Sequence, residues 1–79
     1  FETDESINVY PNPAKNQISV NSKNTIKSVQ LFDMQGRIIN TILVNDTKLD
    51  LNISNYSNGI YFLKVTTARG SKVEKIIKE

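Results

Sequence analysis

The chain has 79 residues, no cysteine, no histidine and a formal net charge of +2. That length holds one small domain, and without disulfides its stability has to come from apolar packing. The missing histidines and cysteines exclude Ser-His-Asp and Cys-His nucleophiles and the common zinc sites, scattered lysines in near balance with acids exclude a concentrated nucleic-acid-binding face, and no apolar run approaches the roughly 20 residues that span a bilayer as a helix.

Residues 1–6 are polar and acidic and read as a linker or tail. They lack the basic start of a signal peptide, so Phe1 reads as an internal boundary of a longer chain. A short alternating run at 7–10 stops at Tyr10-Pro11-Asn12-Pro13. Each proline fixes its own φ and biases the preceding residue away from helix, which makes a stiff corner. Residues 17–21 alternate, with Ile18 and Val20 on one side, and 21–25 are polar and turn-like. The next strand is expected at 26–33, with Val29 and Leu31 sharing a face. Asp33-Met34-Gln35-Gly36 reads as a tight turn in which Gly36 supplies a positive φ. The β-branched run at 37–44 completes a hairpin.

A further turn is expected at 45–47, then a strand at 48–51 with Leu49 and Leu51 inward. Residues 53–58 form an irregular connection, and Gly59 suits a positive φ. The clearest strand is 60–66, with Tyr61, Leu63 and Val65 on one face and Ile60, Phe62 and Lys64 on the other. Ala68-Arg69-Gly70 turns the chain into a last strand at 72–78. About seven short strands at turn spacings of roughly 8–12 residues predict an all-β fold, an antiparallel sandwich or a small barrel. Tyr61, entering a late strand, reads either as an ordinary core aromatic or as a tyrosine corner, whose hydroxyl bonds back to upstream backbone.

The ordered motifs resemble a known family. Val9-Tyr10-Pro11-Asn12-Pro13 is similar to its opening box, and residues 29–37, closing on Gly36-Arg37, to its central box. Leu49-Asp50-Leu51-Asn52-Ile53 and the run from Asn58-Gly59 to Val65 resemble the next two, and Lys75-Ile76-Ile77-Lys78 resembles the C-terminal box. This is the type A C-terminal sorting domain of type IX secretion cargo, found in Bacteroidetes. The resemblance covers 7–79 and implies an immunoglobulin-like antiparallel β-sandwich of about seven short strands, acting as a secretion signal that catalyses nothing and needs no cofactor. Its cargo would lie N-terminal in the same chain, pass through the periplasm, and reach the cell surface or the medium. The implied partners are the type IX translocon, an outer-membrane β-barrel shuttle protein and a cell-surface sortase that removes the domain. A competing reading is an accessory immunoglobulin-like module of a secreted enzyme or adhesin, which binds carbohydrate or protein or spaces the enzyme from the surface.

The expected recognition residues are Gly36, Arg37, Lys72, Lys75, Ile76, Ile77 and Lys78. Tyr10, Pro11, Asn12, Pro13, Gly59 and Tyr61 are expected to serve the structure of the motifs. Asp33, Asp46 and Asp50 read as turn-makers, because Asp bonds local backbone. Lysines 72, 75 and 78 break strict alternation, so the last strand is expected to be bulged or on an edge, protected by lysine or gripped by the export machinery.

Overall fold

Two strands run far past the limits that the polar interruptions suggest. In the computed structural model, which describes residues 4–79, the elements are β1 (Asn8–Tyr10), β2 (Gln17–Phe32), β3 (Ile38–Asn52), β4 (Gly59–Thr67) and β5 (Ser71–Lys78). The fold is all-β, as expected. The count is five strands where about seven were expected, because β2 and β3 each join two of the expected strands. Residues 21–25 and 45–47 are register irregularities inside these strands, and they do not reverse the chain. Asn21 pairs with Lys48 while Ile26 pairs with Asp46, so β2 carries surplus residues between those two points. Extra residues bend a strand and raise its twist without ending it.

The bend lets β2 serve two layers. Its first part, 17–21, lies between β1 and the 48–52 end of β3. Its second part, 26–32, lies between the 38–46 end of β3 and β4. Strand β5 then pairs with β4. The antiparallel sheet therefore curls on itself as an immunoglobulin-like sandwich. Ile18, Val20 and Leu51 from the first layer share one buried cluster with Val29, Leu31, Leu63, Val65 and Ile76 from the second. Period-two alternation explains the selection, since alternate side chains on each strand point into the space between the layers.

The tyrosine corner is present. The Tyr61 hydroxyl donates to the Ser57 carbonyl at 2.6 Å, and its ring lies 6.0 Å from that of Tyr56, centroid to centroid. The bond fixes the irregular 53–58 connection against the start of β4. Tyr61→Phe removes one donor and leaves a carbonyl without its partner. It should lower stability by about 0.5–1.5 kcal/mol, read as a lower denaturant midpoint with an unchanged slope.

Candidate functional site

The Gly36-Arg37 box closes the β2–β3 hairpin. Gly36 has φ 83°, a conformation that L side chains seldom adopt. A Cβ there would meet nothing within 4 Å, so the requirement is for backbone conformation and not for space. Asp33 organises the loop. One oxygen, Oδ1, accepts the backbone N–H groups of Gln35 at 2.9 Å and Arg37 at 3.0 Å. The other, Oδ2, accepts the Arg37 Nε–H at 2.8 Å. The Arg37 backbone N–H is the main reason that the carboxyl is held below its ordinary value, against the opposing effect of desolvation. The Arg37 side chain is 77% exposed. Exposed ion pairs of this kind add little stability, so the guanidinium remains a surface charge.

The Tyr10-Pro11-Asn12-Pro13 box works on the far end of the chain. Asn12 Nδ2 donates to the Lys75 carbonyl at 2.7 Å, and Asn12 Oδ1 accepts the Ile77 N–H at 3.0 Å. The Ala14 N–H donates to the Ile77 carbonyl, and the Glu79 N–H donates to the Ala14 carbonyl, both at 2.8 Å. One side-chain amide and one residue of backbone thus stand in for a neighbouring strand along the outer edge of β5. Tyr10 is half exposed and its hydroxyl accepts Asn21 Nδ2 at 2.6 Å.

Strand β5 lies on the edge of the sheet, one of the two alternatives expected for it, but its lysines do not share one exposed face. It pairs with β4 in one unbroken register, without a bulge. Alternation therefore sends Lys72, Ile76 and Lys78 inward and Val73, Lys75 and Ile77 outward. Ile76 is 1% exposed and Lys78 is 8% exposed. The Lys72 ammonium contacts the Ile7 carbonyl at 3.3 Å and Glu74 at 3.1 Å. Of the three lysines, Lys75 alone lies on the open face. Lysine stems bury readily while the charged tip finds oxygen, which is why a three-residue spacing does not reveal the face.

The open face of the second layer brings the expected residues together with others that sequence reasoning missed. Ile38, Phe32, Phe62 and Lys75 are cross-strand neighbours in one row, and Ile60 pairs with Ile77 beside it. Three strand spacings of about 4.8 Å put Lys75 about 14 Å across the sheet from the hairpin strand. Ile38 is 57% exposed, Val73 58% and Ile77 38%. Lys64 adds a second cation, and none of these cross-strand rows contains a carboxylate. The signal was available: in Ile60-Tyr61-Phe62-Leu63 both faces of β4 are apolar, yet only one faces the core.

The second missed feature is Asp4. Its carboxylate is 5% exposed and accepts four hydrogen bonds. The Ser6 N–H and hydroxyl reach Oδ1 at 3.0 and 2.6 Å, and Asn24 Nδ2 and the Thr67 hydroxyl reach Oδ2 at 3.0 and 2.6 Å. The Ser6 hydroxyl, then that of Thr67, holds the carboxyl far below its ordinary value of 3.8, while burial works the other way. Residues 4–6 are thus packed onto the sandwich. The rest of the stretch read as a linker, 1–3, lies outside the described residues.

The geometry defines a small immunoglobulin-like sandwich with an amphipathic open face and a clamped last strand. The profile of the secretion system C-terminal sorting domain matches residues 8–79, and the chain belongs to this family, the sorting domains of type IX secretion. A solved structure shares the fold with a TM-score of 0.75 at 20% identity. It is PorZ, a surface component of the type IX secretion system of Porphyromonas gingivalis, and the match covers 95% of this chain and 12% of that one. A search of curated proteins finds no match.

Two substitutions test these clamps. Asn12→Asp keeps the acceptor for Ile77 and replaces the donor to Lys75 with an anionic oxygen facing a carbonyl. Amide hydrogen exchange at Ile77 and Glu79 should then rise by about tenfold or more, as expected when local opening becomes easier. Asp4 stabilises the fold through a depressed carboxyl pKa, so its contribution is complete above the unfolded value near 3.8 and is lost as pH falls toward the folded value. Asp4→Asn should therefore melt lower than the parent at pH 7, and the gap should narrow below about pH 4.

Proposed function

We propose that this domain directs a larger cargo, joined to its N-terminal side, across the outer membrane through the type IX translocon. A β-barrel shuttle protein carries it onward, and a cell-surface sortase removes the domain, which is the substrate in that reaction and not an enzyme. The cargo passes through the periplasm before it reaches the surface or the medium. The observation that carries this reading is the family match over residues 8–79, which spans all five strands.

The open face of the second layer is the proposed recognition surface. It presents Lys75 and Ile77 with Phe62, Phe32 and the hairpin of Gly36 and Arg37. Lys72, Ile76 and Lys78 support it from below by holding β5 in place. Deleting 75–79 is a poor test of recognition, because it removes Ile76 from the core and the partners of Asn12 and Ala14.

The test is a periplasmic reporter carrying this chain at its C-terminus, produced in a type IX-competent host. Surface or extracellular reporter is expected; a reporter held in the periplasm would refute the sorting function. Lys75→Glu combined with Ile77→Asn alters only outward side chains. It should sharply reduce export while leaving the melting temperature near that of the parent. Full export by the double variant would remove this face from consideration.

A further inference from the structure

We propose that the free edge of β3 is a self-association surface, on which residues 38–45 pair antiparallel with the same segment of a second copy of this chain. Among the described residues, β3 pairs with β2 alone, so one whole side of a 15-residue strand is open. The parity of that side follows from the ladder. The β5 carbonyls and amides taken by Asn12 and Ala14 belong to odd-numbered residues, so the even-numbered ones face β4. Following the pairs inward, Val29 and Leu31 of β2 bond to Ile42 and Asn40 of β3. Ile39 is a surplus residue in the register between Ile38 and Asn40, and Thr41 and Leu43 therefore turn their N–H and C=O groups to the open edge. The same alternation sends their side chains to the solvent face, and Leu43 is 86% exposed.

Exposed edge strands are ordinarily protected by lysine, proline or a covering segment. The edge of β5 has such cover in Asn12 and Ala14. The β3 segment has no cover and no protecting side chain: Ile38-Ile39-Asn40-Thr41-Ile42-Leu43-Val44-Asn45 contains no charge, proline or glycine, and its register to β2 is regular from Asn40 to Leu43, with irregularities only beyond those two residues. That composition favours strand pairing.

A second copy is the occupant that fits. The uncharged run is bracketed by Arg37 on one side and Asp46 on the other. An antiparallel two-fold through Thr41 sets Thr41 against Thr41 and brings the exposed Leu43 toward the exposed Ile39 of the other copy. It also brings the Arg37 end of one copy toward the Asp46 end of the other. Aliphatic and Thr–Thr cross-strand pairs and end-to-end opposite charges all favour that register. The two second layers then join into one continuous sheet. A single strand pair buries less than the about 1,200 Å² of a stable complex, so the dimer is transient and concentration-dependent.

Sedimentation equilibrium of the 79-residue chain, taken to about 1 mM, tests this. A monomer–dimer equilibrium that weakens with salt is expected. Leu43→Lys should weaken it by about tenfold or more. Thr41→Pro should do the same without removing a bond to β2, because the lost N–H faces the open edge. Both variants should keep the parent circular dichroism spectrum. The chain has no native cysteine, so Thr41→Cys treated with a short bismaleimide should give covalent dimer faster than Ser57→Cys. A parent monomeric throughout the range overturns the proposal. So does a dimer that neither variant weakens, or equal cross-linking at both positions. A monomeric parent whose export is lost in Leu43→Lys assigns the edge to another protein's strand and also overturns it.

Discussion

The structure depends on one strand crossing between two layers. Strand β2 sets the register of β1 and half of β3 on one side of its bend, and of β4 and the rest of β3 on the other. An unpinned bend would leave the two registers free to slip, and a one-residue slip turns a strand's apolar set out of the core. The Asp4 carboxylate supplies the pin. It ties Ser6 before β1, Asn24 within the bend and Thr67 at the end of β4 to a single group. A buried charge is tolerable only when its lone pairs are met by donors, and here two oxygens accept four. In a domain this small, such a node does work that a larger core would perform by bulk.

The sandwich manages its two long edges differently. At β5 the neighbour is a proline-bounded segment in which Pro11 and Pro13 have no N–H to offer. The Asn12 amide carries both a donor and an acceptor, so it replaces the backbone pair that the prolines cannot provide. That is a physical reason for an asparagine between two prolines. The edge of β3 has no such device. The contrast within one sheet gives the two edges separate uses: one is closed on the chain itself, and the other is left able to pair.

What the sequence revealed is what depends on near neighbours. The Asp33–Arg37 loop, the positive φ of Gly36 and the Tyr61 corner bond all join residues at most four positions apart. The strand set was legible too, since alternation is local. Polar residues at 21–25 looked like a turn because Asn, Ser and Thr favour turns. Their partners in this fold are Ser6 and Asp4, reached only after folding. The same distance hid the Asn12 clamp, whose partners lie 63 and 65 residues away. The lysines of β5 misled for another reason. Residue type suggested an exposed stripe, whereas strand parity buried Lys78 and turned Lys72 toward the Ile7 carbonyl.

The clamp on β5 has a mechanical side. Ala14 and Lys78 form a parallel bridge, so the segment at 12–14 and the last strand run in the same direction. Tension applied between the N-terminal side of that segment and the C-terminal end of β5 pulls the two along each other. Bonds loaded in this shear geometry bear the load together, whereas a peeled hairpin gives them up one at a time. A pull on the two ends would thus meet bonds that yield together, along the strand that bears Lys75 and Ile77.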